Sequence, residues 1–193
     1  MGFFDLFGKK DGVEESLPKN DVERWVTDTY VIWSEYCGGE WKYIGGYKKN
    51  RSNASMMRGV LRRDWDISNH DAGVEMVEIL MMDKEDEEEE KVAGWDYCRA
   101  CQLLGMFYVA GYMEREEVID RSVKACKVIQ QKFSSWDELC QSYIEGYSQW
   151  RSEYDSEFGG GLQEAIQERK DIYQRLCQMQ DGPYKLAWNL TLQ

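Results

Sequence analysis

Several residue types are scarce in this chain, and each scarcity excludes a class of structure. Only two prolines occur among the 193 residues, Pro18 and Pro183, so long uninterrupted helices are permitted between them. No apolar run approaches the roughly 20 residues that a membrane-spanning helix needs. The single histidine, His70, leaves no second imidazole for a metal site. A glycine-rich phosphate loop and a GxSxG nucleophile motif are also absent.

The cysteines have no spacing typical of a disulfide framework. A chain of this length can stabilise its core without disulfides, so we expect reduced thiols and a cytoplasmic protein. The first residues, MGFFDLFGKK, also lack the features of a secretory signal peptide. Cys98 and Cys101 form one CxxC, which we interpret as buried apolar side chains rather than a redox or metal site. We therefore expect no metal and no cofactor.

One segment is far more apolar than the rest of the chain. Residues 94–111, GWDYCRACQLLGMFYVAG, are apolar on nearly all sides of a helix, which is typical of a buried central helix. Hydrophobic periodicity elsewhere predicts about seven helices in total and no strands. We expect an all-α fold, with a flexible leader over residues 1–19 and a single compact helical domain over residues 20–193.

Capping residues predict where several helices begin. Asn20 or Asp21 is expected to cap the first helix, which we predict to run unbroken as far as two glycines at its end. Ser68 with Asp71 resembles a capping box, and Ser135 begins another. The dipeptide Trp-Asp is interpreted as the mark of a helix entrance at each of its three positions, which begin at residues 65, 95 and 136.

Charge is distributed unevenly along the chain. The net charge is −12, and residues 85–90 are six consecutive acids, interpreted as a solvated loop because they lack the pattern of a calcium loop. Residues 42–63, called here the basic segment, contain lysine and arginine but no acid. This segment is either neutralised by the acidic residues or forms a site for an anion or a partner. Its candidate binding residues are Lys48, Lys49, Arg51, Arg58, Arg62 and Arg63.

Two charged residues lie within the apolar segment. Asp96 and Arg99 are three residues apart and so share one face of a helix. One hypothesis makes them an internal brace to the helix that starts at Trp136 and Asp137. The alternative places Asp96 and Asp137 together as catalytic carboxylates, with Arg99 holding an anionic substrate.

The stretches GWDYCRA, AGY and SSWDELCQSYIEGYSQW occur in an order and spacing that resemble the bacterial domain-of-unknown-function family 1266. That family pattern is a WDxxR helix, a Gly-Tyr turn, and an SWxE segment followed by Tyr, Gly and Trp. The matching positions are Trp95, Asp96, Arg99, Gly111, Tyr112, Ser135, Trp136, Glu138, Tyr143, Gly146 and Trp150. The flanks RRDWDISN and PYKLAW extend the resemblance to about residues 55–190. Family members often carry a basic residue where Tyr147 stands here. The resemblance implies a compact helical bacterial domain and brings no established activity.

Three functional hypotheses follow from these patterns. The first is a non-enzymatic cytoplasmic protein-interaction module that neutralises a basic partner, such as a toxin domain. The second is a hydrolase or lyase that uses carboxylates on a small anionic substrate. The third is binding of nucleic acid or anionic lipid through the basic segment, which the net negative charge disfavours.

Overall fold

The structure, a computed structural model, describes residues 13–84 and 86–193. These residues form nine α-helices and one short 3₁₀ helix, Ile44–Gly46, and contain no strand, which confirms the predicted all-α fold. The α-helices are α1 (Val13–Ser16), α2 (Asp21–Asp28), α3 (Val31–Tyr36), α4 (Arg51–Trp65), α5 (His70–Leu80), α6 (Glu87–Ala110), α7 (Arg115–Lys132), α8 (Trp136–Glu153) and α9 (Leu162–Gln178).

Helix α6 is the predicted central helix. Helices α4, α5, α7 and α8 and the 3₁₀ helix all pack against it, so nearly every side chain from Tyr97 to Ala110 is buried. Gly111 adopts a φ of +75° and ends the helix, as glycine does without steric cost. The apolar character of all its faces is explained by these neighbours on all sides.

The prediction of a loop for the acidic residues 85–90 is wrong for residues 86–90, and residue 85 lies outside the described residues. Residues Glu87–Glu90 form the first turn of α6, and Asp86 caps the helix by accepting the backbone N–H groups of Glu88 and Glu89. Carboxylates at a helix N-terminus are stabilised by the helix dipole, so a run of acids favours a helix start. Among the ion pairs between described residues, those of the basic segment include Lys42 with Glu40, Lys49 with Glu114 and Arg63 with Asp64.

The first predicted helix is divided into two. Helix α2 ends at Asp28, and α3 begins after Tyr30. The Thr29 hydroxyl donates to the Val26 carbonyl oxygen at 2.7 Å, an alternative to regular helical bonding. The Tyr30 hydroxyl accepts the N–H of Gly45 at 3.1 Å, a tertiary contact that local sequence does not predict.

The flexible leader predicted for residues 1–19 falls partly outside the described residues. Residues 1–12 are not described. Residues 13–19 are held against the bundle, because buried Ser16 accepts the N–H of Lys49 at 2.7 Å and Arg115 donates to the carbonyl oxygens of Glu15 and Leu17.

Other helix starts were predicted with mixed success. Asn20 and Ser135 cap α2 and α8, as expected. Helix α5 is capped by Asn69 rather than Ser68, because the Asn69 side chain accepts the N–H of Ala72. The interpretation of Trp-Asp was wrong at two positions. Residues 65–66 lie where α4 ends and residues 95–96 lie inside α6, since the acidic turn starts that helix earlier.

The C-terminal residues 179–193 pack back onto the bundle. The indole N–H of Trp136, at the start of α8, donates to the Leu186 carbonyl oxygen at 3.0 Å. In α2, one carboxylate oxygen of Asp28 accepts the N–H of Tyr184 at 3.0 Å, while the other is buried without a hydrogen-bond partner. A buried carboxyl therefore lies under the C-terminal segment.

Candidate functional site: a cleft between helices α6 and α8

Two glycines allow α6 and α8 to approach closely. A Cβ atom on Gly146 would lie 2.4 Å from the Cβ of Trp95 and 2.7 Å from the carbonyl oxygen of Val92. On the facing helix, the N–H of Gly94 donates to the Ser142 hydroxyl at 2.9 Å. Contacts this short exclude any larger residue at position 146, so the two helices are fixed against each other here.

A cleft opens beside this contact. Its volume is about 330 Å³, and it receives side chains from both helices and from the connection between α5 and α6. The residues that line it include Lys84, Glu89, Trp95, Asp96, Arg99, Trp150 and Glu153. We call this region the α6/α8 cleft.

Asp96 lies at the centre of the charged groups in the cleft. One of its carboxylate oxygens is paired with Arg99, and the other accepts the Lys84 ammonium at 2.7 Å. Partial burial alone would raise the pKa of Asp96, but the hydrogen bonds from Lys84 and Arg99 outweigh it and lower that pKa below its ordinary value. Asp96 therefore stays ionised at neutral pH and is a poor proton donor.

Aromatic rings surround the charged groups. The Arg99 guanidinium lies over the ring of Trp95, 4.6 Å from its centroid, and also faces Trp65 at 5.4 Å. Trp95 in turn contacts the rings of Tyr143 and Trp150, with centroids 5.2 and 5.7 Å away. Cations stacked on aromatic rings are stabilised by the ring quadrupole.

The aromatic surface continues beyond the cleft. Trp150 is followed by Tyr154 and Phe158, and the centroid of each of these two rings lies 5.7 Å from that of Trp150. Tyr154 is 40% exposed and Phe158 is 56% exposed. We call these three residues the aromatic ridge. Large aromatic side chains that stay exposed together are typical of interaction surfaces.

Two buried arginines lie next to the aromatic ridge. Arg151 pairs with Asp155 at 2.7 Å and donates to the carbonyl oxygen of Gly160 at 2.6 Å. Arg169 of α9 lies between the rings of Tyr36 and Tyr147, at 3.7 and 3.5 Å from their centroids. The resemblance led us to expect a basic residue at position 147. The chain has Tyr147 there, and the Arg169 guanidinium stacks on its ring.

The cleft lies within a region that matches a known family. The family described as "Protein of unknown function (DUF1266)" matches residues 84–188. The chain belongs to the DUF1266 family. The match begins at residue 84, whereas the predicted extent began near residue 55. The flank RRDWDISN therefore lies outside the match. No curated protein and no solved structure matches the chain.

The residues of the DUF1266 pattern divide into two groups in the structure. Trp95, Asp96, Arg99, Gly146 and Trp150 all line the α6/α8 cleft, and Tyr143 packs on its tryptophan. The remainder form helix ends. Gly111 and Tyr112 end α6, and Ser135, Trp136 and Glu138 start α8. Half of the pattern thus surrounds one cleft.

The two carboxylates of the enzyme hypothesis are not brought together in this DUF1266 protein. Asp96 lines the α6/α8 cleft, whereas Asp137 lines a different cleft and accepts the hydroxyl of Tyr173. The alternative hypothesis was a brace to the helix that starts at Trp136 and Asp137, which is α8, but the described ion pairs of Asp96 join it to Arg99 and Lys84. The partner outside α6 is Lys84, since the turn before α6 carries it back over the helix.

Among the described residues, none of those that line the cleft belongs to the basic segment. Arg58 donates to the carbonyl oxygen of Ala110 at 2.7 Å and so caps the C-terminus of α6. Lys49 lies over the Tyr108 ring at 4.2 Å, Lys48 lies over a tyrosine ring, and Arg63 pairs with its neighbour Asp64. Arg51 and Arg62 are exposed on the same side of α4. Part of the predicted binding set therefore has an internal structural role.

Sequence reasoning missed Lys84, Glu153 and Arg169. Lys84 and Arg169 reach the site from other elements, and local spacing carries no signal for such contacts. The aromatic ridge did have a signal, because Trp150, Tyr154 and Phe158 recur at intervals of four residues.

Two further findings concern the described part of the DUF1266 chain. None of its helices is long and apolar enough to cross a membrane. Among residues 13–84 and 86–193, no group of three His, Cys, Asp or Glu side chains is arranged to hold a metal ion.

Proposed function

We propose that the α6/α8 cleft and the aromatic ridge bind a basic polypeptide segment, and that the protein is a non-catalytic interaction module of the bacterial cytoplasm. One observation carries the proposal. Carboxylates and aromatic rings lie close together, because Asp96, Glu153 and Trp150 line the cleft and the exposed ring of Phe158 lies 5.7 Å from that of Trp150. A basic toxin domain is one partner with the required chemistry.

The physical basis of this binding is the combination of two attractions. A lysine or arginine side chain is attracted to a carboxylate by charge and to an aromatic face by the ring quadrupole, about 0.5–1 kcal/mol per exposed cation–π contact. The net charge of −12 adds long-range attraction that speeds encounter with a basic partner. Several weak contacts on one face then add up to measurable affinity.

Two observations support the other parts of the proposal. A catalytic role is disfavoured because Asp96 stays ionised and Asp137 lies in another cleft. A cytoplasmic location is favoured by six cysteines without disulfides, among them Cys101 and Cys126, whose sulfur atoms are 3.9 Å apart and share a hydrogen bond.

The proposal predicts that a labelled lysine- and arginine-rich peptide binds the purified protein, as followed by fluorescence anisotropy. Glu153→Lys reverses a charge in the cleft, so we expect affinity about tenfold lower. Phe158→Ala removes an exposed ring and should lower affinity about threefold. Glu153 is exposed, so thermal unfolding of Glu153→Lys should match that of the wild type. Phe158→Ala also loses contacts with Trp150 and with the Arg151 guanidinium, so its affinity is compared with that of the wild type at a temperature where thermal unfolding shows both to be folded.

The matched control is Asp120→Lys, which makes the same charge change at an exposed position on α7. Its affinity for the peptide should stay within about twofold of the wild-type value. Equal losses in Asp120→Lys and Glu153→Lys would show that only overall charge matters and would contradict a site in the cleft.

A further inference from the structure

A cation of this chain already lies in the α6/α8 cleft. The Lys84 ammonium is 2.7 Å from a carboxylate oxygen of Asp96 and 5.5 Å from the centroid of the Tyr97 ring. Its side chain is only 12% exposed, so most of the side chain is removed from water. One carboxylate and one aromatic ring thus form a position that accepts an ammonium group.

We infer that this position is an ammonium subsite for a lysine of the basic partner, and that Lys84 occupies it as an internal competitor until the partner displaces it. The inference rests on the proposed function. Beyond that function, it specifies that lysine is the basic residue recognised and that Lys84 fills the site when no partner is bound.

The geometry of Asp96 favours lysine over arginine in this subsite. Arg99 already takes one carboxylate oxygen, which leaves only the second oxygen for another cation. A guanidinium binds a carboxylate best through two parallel hydrogen bonds, whereas an ammonium is a compact charge that needs a single acceptor. With only one oxygen open, arginine cannot form its two parallel hydrogen bonds and has no advantage over lysine.

The position of Lys84 in the fold makes it displaceable. It belongs to the short connection between α5 and α6 rather than to a helix, so its side chain can leave without breaking helical hydrogen bonds. Arg99 lies within α6 and stays paired with Asp96 during the exchange. The carboxylate is therefore never left without a cation.

An internal competitor raises the apparent dissociation constant of a ligand. The apparent value equals the intrinsic value divided by the fraction of time that the site is free. Lys84→Met removes the ammonium and keeps an unbranched apolar side chain. We expect this variant to bind a labelled peptide of alternating lysine and glycine about tenfold more tightly than the wild type does, as for a site that Lys84 occupies about nine-tenths of the time.

The control is Lys91→Met, which removes the same charge from an exposed position of α6 outside the cleft. Its affinity should rise less than about twofold. In Lys84→Met the lysine peptide should also bind more tightly than its arginine counterpart, and acetylation of the peptide lysines should abolish the gain. Equal gains in the two methionine variants, or no gain in Lys84→Met, would overturn the inference.

A second measurement uses the wild-type chain and needs no substitution. In a protein labelled at its lysine side chains, the NMR signal of Lys84 should move to the position of solvent-exposed lysines when the lysine peptide saturates the cleft. A Lys84 signal that stays in place while the peptide is bound would show that Lys84 is not displaced.

The outcomes separate the inference from the proposed function. If the wild type binds the peptide and Glu153→Lys weakens it, but Lys84→Met is no tighter than Lys91→Met, the subsite is wrong and the proposed function stands. If neither the wild type nor Lys84→Met binds the peptide, both are wrong.

Discussion

Asp28→Asn is expected to stabilise the folded protein by about 2 kcal/mol above pH 7. Burial raises the pKa of Asp28 to about 7, against the opposing effects of the Tyr184 N–H and the nearby Arg24. Ionising this carboxyl in the folded state costs up to about 4 kcal/mol relative to the unfolded chain. Asparagine keeps an acceptor for the Tyr184 N–H and removes the charge, while burial of its amide N–H groups offsets part of the gain.

The sign of the pH dependence follows from where the proton is held. The unfolded chain loses the Asp28 proton near pH 4, whereas the folded protein keeps it until about pH 7. Between these values the folded state binds the extra proton, so the contribution of Asp28 makes stability fall as pH rises, and it levels off above about pH 7. Asparagine has no such contribution.

Urea unfolding of both proteins from about pH 6 to about pH 8.5 measures this effect, with the advantage of Asp28→Asn growing with pH over the first part of the range. Asp120→Asn, an exposed substitution on α7, serves as the control and should change stability by less than about 0.5 kcal/mol. An Asp28→Asn variant less stable than the wild type at every pH would contradict the assignment of a buried, protonated carboxyl.

Gly146→Ala is expected to destabilise the protein by about 3 kcal/mol or more. Its new methyl group would lie 2.4 Å from the Cβ of Trp95 and 2.7 Å from a backbone oxygen of α6, and neither can move without shifting a helix. Overpacking of this kind outweighs the roughly 1 kcal/mol that alanine gains over glycine inside a helix. The displaced helices would also widen the α6/α8 cleft and weaken peptide binding.

The same substitution at Gly59 provides the matched comparison. Gly59 lies within α4, is exposed, and has no atom within 4 Å of where a Cβ would be placed. Gly59→Ala should therefore raise the free energy of unfolding by about 0.5–1 kcal/mol. Both values come from denaturant unfolding, and a Gly146→Ala variant as stable as Gly59→Ala would show that α6 and α8 are not in close contact.

Much of the fold could be predicted from the sequence because its signals are local. An apolar segment without a polar face is typical of a buried helix, and α6 is one. Asn20 and Ser135 cap helices because their side chains reach N–H groups only three residues away. The break after Asp28 was not predicted, because it combines a local bond of the Thr29 hydroxyl with a contact between Tyr30 and Gly45, which are remote in sequence.

The candidate site was predicted only in part, for the same physical reason. Asp96 and Arg99 share a helical face, so their pairing follows from spacing alone. A solvated loop was predicted for residues 85–90, yet residues 87–90 start α6, because carboxylates at a helix N-terminus are stabilised by the helix dipole. The position of Lys84 over Asp96, and of Arg169 over Tyr147, depends on how remote elements pack.

The position of α6 between its neighbours also determines how the protein opens. The N–H groups of this helix are covered by α4, α5, α7 and α8, so their exchange needs a large separation of the helices, close to unfolding of the bundle. Amide hydrogens between Tyr97 and Val109 should thus exchange with deuterium at the rate of global unfolding, whereas those of Tyr154 to Gly161 exchange through local fluctuations. The cleft consequently joins the slowest-exchanging helix of the molecule to a segment free to adjust around a partner.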